Sequence, residues 1–183
     1  YLRALAFQLY EGNGILKRKE VKDIVKLISK EDRKEFRKLG IKIGRYHIFL
    51  PRMLKPKAVN LRITLWKFHN NLLDNNEIPK SGLNFLVDEN STFNAKFLLL
   101  CGFEKFKNFY VRVDILEKLF LKIIENTKNN SFQISSEMMN LLGSSKENFY
   151  KLLNFMNYKK KGKEKDVFFY IGDKKIRKKT HFL

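Results

Sequence analysis

GIKIGRYHIFLPRMLKPKAVNLRITLW, residues 40–66, is the stretch on which the fold turns. Residues 41–50 alternate apolar and polar side chains around Gly44. That pattern expects one strand, or two short ones bent at Gly44 and Arg45. Pro51 has no N–H to give a ladder and ends the run. Lys55 and Pro56 then open a helix, with proline at the first position, where a missing N–H costs nothing. Val59, Ile63 and Trp66 make one apolar stripe along it. Leu61, Leu65 and Phe68 widen that stripe, which expects burial on two sides.

Upstream, residues 2–11 have a helical face of Leu2, Leu5, Ala6 and Leu9, and Gly12-Asn13-Gly14 breaks it. Ile15 and Leu16 lead into a basic turn at 17–19. A second helix is expected over 20–28, with Val21, Ile24, Val25 and Ile28 inward. Ser29 followed by Asp32 reads as a cap for a third, mostly solvated helix that ends at Gly40.

Downstream, the polar residues 70–90 read as one long connection. A short apolar helix follows over 93–101, then an aromatic strand over 106–113. Asp114 with Glu117 three residues on reads as the cap of a helix reaching residue 126. A strand at 132–134 and a helix at 136–142 come next. Ser144 with Glu147 reads as a capping box for a helix over 145–156. Residues 158–161 and 167–171 then form a hairpin around a turn at 162–165. Helix, strand, helix, turn, helix, hairpin is the element order of a winged helix. The expected class is α+β, mainly helical: an N-terminal helical part with a short β segment, then a C-terminal winged-helix-like domain. The expected divisions are 1–40, 41–110, 111–173 and a basic tail, 174–183.

The formal net charge is +19 on 183 residues, the electrostatic footprint of a phosphate-backbone binder. Lysine outnumbers arginine 29 to 9, and 17 asparagines and 17 phenylalanines accompany them, so part of the excess reflects compositional bias. With no apolar run of about 18 residues, nucleic acid ranks ahead of a membrane as the partner. One cysteine, Cys101, excludes a disulfide framework within the chain and reads as a buried small hydrophobe in a reducing, cytoplasmic setting. No phosphate-loop motif occurs, and His47, His69 and His181 have no metal-ligand neighbours at helical or strand spacing. Catalytic residues, metal ligands and a cofactor are therefore not expected in these residues.

Two sets of residues are candidates for binding nucleic acid. The first is Arg45, Arg52, Lys55, Lys57 and Arg62, one patch if the strand lies against the following helix. Guanidinium suits bidentate phosphate contact, and Tyr46 and Phe49 are candidate stacking groups. The second set is Lys146 and Lys151 on the expected third helix of the winged helix, with Lys159, Lys160, Lys161 and Lys163 on its hairpin. Between Lys159 and Lys179 there are ten Lys/Arg against three Asp/Glu.

The chain also resembles a known family. Gly40, Gly44, Phe49, Leu50, Pro51, Met53, Leu54, Lys55 and Pro56, followed by Leu61, Arg62, Leu65 and Trp66, resemble a pattern of alphaproteobacterial Suv3-like helicases, downstream of the motor domains. Gly102-Phe103 and the run Val111-Arg112-Val113-Asp114-Ile115-Leu116-Glu117 resemble a second pattern of that family. Leu141-Leu142-Gly143 and Met156-Asn157-Tyr158 resemble a third, with Asn157 standing where the family has glycine. The resemblance implies an ATP-dependent helicase of RNA, or of DNA, as the parent protein. ATP and Mg would belong to the missing motor, and these residues to a monomeric C-terminal accessory region. The first residue is Tyr1, in a helical pattern, which fits a piece of a longer protein. The alternatives are a module that docks a nuclease or ribosomal partner, and a DNA-binding winged-helix regulator.

Overall fold

The computed structural model describes residues 1–71, 77–88, 94–162 and 166–172. The architecture is α+β, with helices outweighing three small antiparallel sheets. The chain divides into two compact units, Tyr1–Leu121 and Lys122–Leu183.

In the first unit, α1 (Leu2–Glu11) turns Leu5 and Leu9 inward. The residues after its Gly-Asn-Gly break form a strand, β1 (Ile15–Lys17), and the expected basic turn follows it at 18–20. Three residues are too few for alternation to announce a strand. Next, α2 (Lys22–Leu27) and α3 (Lys30–Lys38) follow, and Ser29 and Asp32 make the reciprocal capping box at the start of α3. Gly40 ends α3 in the left-handed region, at φ +79°. Its N–H donates to the carbonyl of Arg37, and the N–H of Ile41 donates to that of Phe36, a Schellman closure. Gly40 is therefore fixed by the helix end, and Ile41 packs on the same core as Phe36.

The 41–50 run is two strands, β2 (Lys42–Ile43) and β3 (His47–Phe49), separated by a turn at 44–46. β3 is the centre of a sheet ordered β1-β3-β2. Pro51 opens a short 3-10 turn, Pro51–Leu54, and Pro56 is the first residue of α4 (Pro56–His69). Only one face of α4 is covered. Val59 and Ile63 are buried, but Leu61, Leu65 and Phe68 are exposed, Phe68 by 84%, so the expected two-sided burial does not occur.

Residues 70–90 are more than a connection, because they contain β4 (Phe85–Val87). α5 (Ala95–Leu100) follows, capped by the Asn94 side chain. The single strand expected at 106–113 is a hairpin, β5 (Phe103–Phe106) and β6 (Phe109–Arg112), with its bend at Lys107 in the left-handed region. β6 lies centrally in a sheet ordered β4-β6-β5. Gly102 lies at φ +95°, which favours glycine, and a Cβ there would also come within 2.7 Å of Leu54 Cδ2 and push that side chain aside. Next comes α6 (Val113–Asn126), and the division between the units falls within it.

The second unit continues with β7 (Ser131–Gln133), α7 (Ser136–Leu142), α8 (Lys146–Phe155), β8 (Tyr158–Lys160) and β9 (Val167–Tyr170). Its sheet order is β7-β9-β8. The cap of α8 is Ser145, which accepts from the N–H of Asn148, one residue after the expected Ser144. Phe132, Phe168, Tyr158 and Tyr150 form an aromatic cluster over the sheet, with neighbouring ring centroids 5.3–6.1 Å apart. Asn157 follows α8 at φ +65°, a conformation natural to glycine and tolerated by asparagine. The turn after α8 therefore forms without a glycine there. A β-branched residue cannot follow suit: Asn157→Val should destabilise the chain by about 1–2 kcal/mol and Asn157→Gly by less than about 0.5 kcal/mol, as read by urea denaturation.

Candidate nucleic-acid interface

Glu117 is the organising residue of the candidate site. Its place in α6, after Asp114, suggested a helix cap, but the structure uses it otherwise. The Glu117 carboxylate accepts from three consecutive backbone N–H groups of the 44–47 turn: Arg45 at 2.6 Å, Tyr46 at 2.7 Å and His47 at 2.7 Å. Glu117 is only 8% exposed, so these charge-assisted bonds offset its desolvation. Gly44 follows from this arrangement, since a Cβ there would lie 2.3 Å from the Glu117 carboxyl carbon. Asp114 does not cap either; it takes Arg112 in a two-point ion pair at 2.6 and 3.0 Å.

His47 lies under the same turn. Its Nε2 is 3.2 Å from Glu104 Oε2, and its Nδ1 is 3.6 Å from Glu117 Oε1. Lys17 binds the other oxygen of Glu104 at 2.8 Å. Burial works against a charge on the imidazole, but the hydrogen bond to Glu104 and the nearby Glu117 carboxylate outweigh it and raise the His47 pKa. Burial likewise opposes charge on Glu104, and its bonds to His47 and Lys17 prevail and lower its pKa. The two carboxylates approach opposite ring nitrogens, so the three groups do not converge on one point. Among the described residues no cluster of three His, Cys, Asp or Glu is placed to hold a metal. Cys101 is buried, and burial pushes its thiol up to about 12, leaving it a packing residue.

Above the turn is a groove of about 870 Å³ within the first unit. Five arginines line it: Arg18, Arg33, Arg37, Arg45 and Arg112. Lys42, Lys55 and Lys118 add three ammonium groups. Arg18 donates to the Gly44 carbonyl at 2.7 Å and Arg33 to the Val25 carbonyl at 2.9 Å, so each is held in place while keeping its charge. Arg45 lies 6.0 Å over the Phe120 ring, and the edge of Tyr46 meets the same ring. Partial burial, then the neighbouring guanidiniums of Arg33 and Arg45, lower the Arg18 pKa. The side chains of Arg37, Lys42, Lys55 and Lys118 have no hydrogen-bond or ion-pair partner among the described residues.

The first candidate set is thus split. Arg45 and Lys55 line the groove. Arg52 and Lys57 are exposed and lie outside its lining. Arg62 is a correction: it is 5% exposed and donates to the carbonyls of Asn13 and Leu100, so it is a structural pin and not a phosphate contact. Phe49 is buried in the core. Sequence reading missed Arg18, Arg33 and Arg112 as partners of Arg45. Arginine scarcity was the usable signal, but they lie 12 to 67 residues away from it in the chain.

In the second unit, Lys146 and Lys160 both pair with Asp166, at 2.5 and 3.3 Å, and Tyr150 donates to the same carboxylate. Hydrogen bonds from Lys146 and Tyr150 hold Asp166 far below the usual carboxylate range. Lys151 pairs with Glu147 at 2.7 Å. Lys159 and Lys161 are exposed. Lys163, Lys165 and the basic tail lie outside the described residues.

No family model, curated protein or solved structure matches the chain. No helix among the described residues is long and apolar enough to cross a membrane.

Three outcomes are expected of this site. Glu117→Gln keeps the volume but turns an amide N–H₂ toward N–H donors, and should cost about 2 kcal/mol in chemical denaturation. Gly44→Ala should be destabilising in the same direction, because it displaces the same carboxylate. For His47, a raised folded pKa gives stability that is present below the unfolded value near 6.5 and lost as pH rises through the folded value. For Glu104 the stability is present above about 4.5 and lost as pH falls through the folded value. The stability difference between wild type and His47→Gln should therefore shrink as pH is raised above about 6.5.

Proposed function

We propose that the chain binds nucleic acid through the phosphate backbone, with the groove of the first unit as the contact surface. One observation carries this. The described groove lining is 19 of 183 residues, which at random would take about one of the nine arginines and about three of the 29 lysines. It holds five and three. Lysine is at background there, so compositional bias does not account for the groove, whereas arginine is concentrated about fivefold. Guanidinium is the cation suited to bidentate phosphate contact.

RNA is the proposed substrate and an ATP-dependent helicase the proposed parent, on the resemblance of the quoted motifs. The geometry is compatible with those motifs acting together. Gly44 from the first accommodates Glu117 from the second, and Leu54 from the first lies against Gly102 from the second. Helix, strand, two helices and hairpin, with sheet order β7-β9-β8, support reading the second unit as winged-helix-like. Its basic residues are a weaker contact surface than the groove: Lys146, Lys151 and Lys160 face carboxylates, whereas of the groove cations Arg112 faces Asp114 and Arg37, Lys42, Lys55 and Lys118 face none among the described residues.

Arg37→Glu/Lys42→Glu, two exposed groove positions, should weaken RNA binding at least about tenfold with the far-UV spectrum unchanged. Lys159→Glu/Lys161→Glu in the second unit should weaken it less. If about four groove cations meet phosphates, log K against log salt should slope at about −3 on single strands. Equal affinity for wild type and the groove variant would remove the groove from the interface. Capture of a protein partner that persists after nuclease treatment and in high salt would favour the docking alternative.

A further inference from the structure

The groove combines two chemistries. Beside its cations the lining holds half-buried apolar groups: Ile41, Ile43, Pro51, Leu54 and Phe120. A small anion would satisfy the charges and leave those groups wet. A duplex turns its bases inward and offers phosphate and sugar, which gain nothing from apolar groups. An unpaired strand offers both parts, charged phosphates and exposed π-faces.

Resting on the phosphate-binding reading above, we propose that the groove takes an unpaired nucleic-acid strand. Its bases lie against the apolar groups of the lining, and its phosphates meet the arginines and lysines there. Two features sharpen this. The three turn amides that would otherwise form an anion-binding nest are already filled by Glu117, so phosphate recognition falls to side chains. The two lining carboxylates are engaged, Asp114 by Arg112 and Glu117 by the turn, which removes the acceptors that would read base edges. A site with cations and apolar faces discriminates strandedness and tolerates sequence.

The test uses the whole 183-residue chain in fluorescence anisotropy at one fixed salt concentration. The probes are a single-stranded RNA, the same RNA annealed to its complement, and inorganic polyphosphate of equal charge as competitor. The single strand should bind at least about tenfold tighter than the duplex, with affinities for A-rich and U-rich strands within about threefold of each other. Polyphosphate should compete at least about tenfold less well than unlabelled single strand. Duplex binding as tight as single-strand binding overturns the proposal, and so does polyphosphate competing equally. The Arg37→Glu/Lys42→Glu variant separates the two readings. If it weakens all ligands alike, phosphate binding by the groove stands and the preference for unpaired strands falls. If it changes none, both fall.

Discussion

A carboxylate buried against backbone is the constraint from which the first unit is arranged. Glu117 loses water, which for an isolated charge costs several kcal/mol, and recovers it through three N–H donors from consecutive residues. Those donors exist only if the chain turns tightly between β2 and β3, and the turn closes only if residue 44 has no side chain. One charge therefore fixes a helix against a hairpin about 70 residues earlier in the chain. It also fixes the groove, since Arg45 leaves the backbone at the bound turn and Arg18 is tied to its Gly44 carbonyl.

The small sheets explain why polar pins are needed. Their strands are two to four residues long, so each ladder supplies few hydrogen bonds. Side-chain bonds between distant segments supplement them. The imidazole of His47, on β3, lies between Glu104 on β5 and Glu117 on α6, and Lys17 on β1 closes the set. Arg62 plays the same part elsewhere, carrying its charge inward to meet the carbonyls of Asn13 and Leu100. Removing one partner from such a set leaves a buried group unsatisfied, which costs more than the bond contributes while intact.

Local rules were legible where the cause is local. The Ser29–Asp32 box, the Pro56 helix start, the glycine closing α3 and the hairpin of β8 and β9 each depend on residues within a few positions. Strands of three residues were not legible. β1 is too short to show alternation, and β4 sits in a stretch whose composition is that of a loop. Glu117 was misread because a glutamate three residues after an aspartate satisfies the capping pattern, while its actual donors are far away in the chain. The stripe on α4 was read too widely, because apolar residues at helical spacing do not reveal whether a second neighbour exists to cover them.

Arg62 and Arg45 show what a charge count leaves open. Both were picked from one basic stretch, and only one faces the groove. A guanidinium stays protonated through the physiological range, so burial does not discharge Arg62; it must find acceptors, and two carbonyls supply them. Arg45 keeps its backbone bound to Glu117 and its side chain exposed over Phe120. What separates the two is which backbone atoms the fold has already satisfied. Carbonyls left over at Asn13 and Leu100 draw one arginine inward. Amides satisfied by Glu117 hold the other at the turn, with its guanidinium over the Phe120 ring in the groove lining. The placement of arginine in the groove thus follows from the same hydrogen-bond accounting that determines the fold.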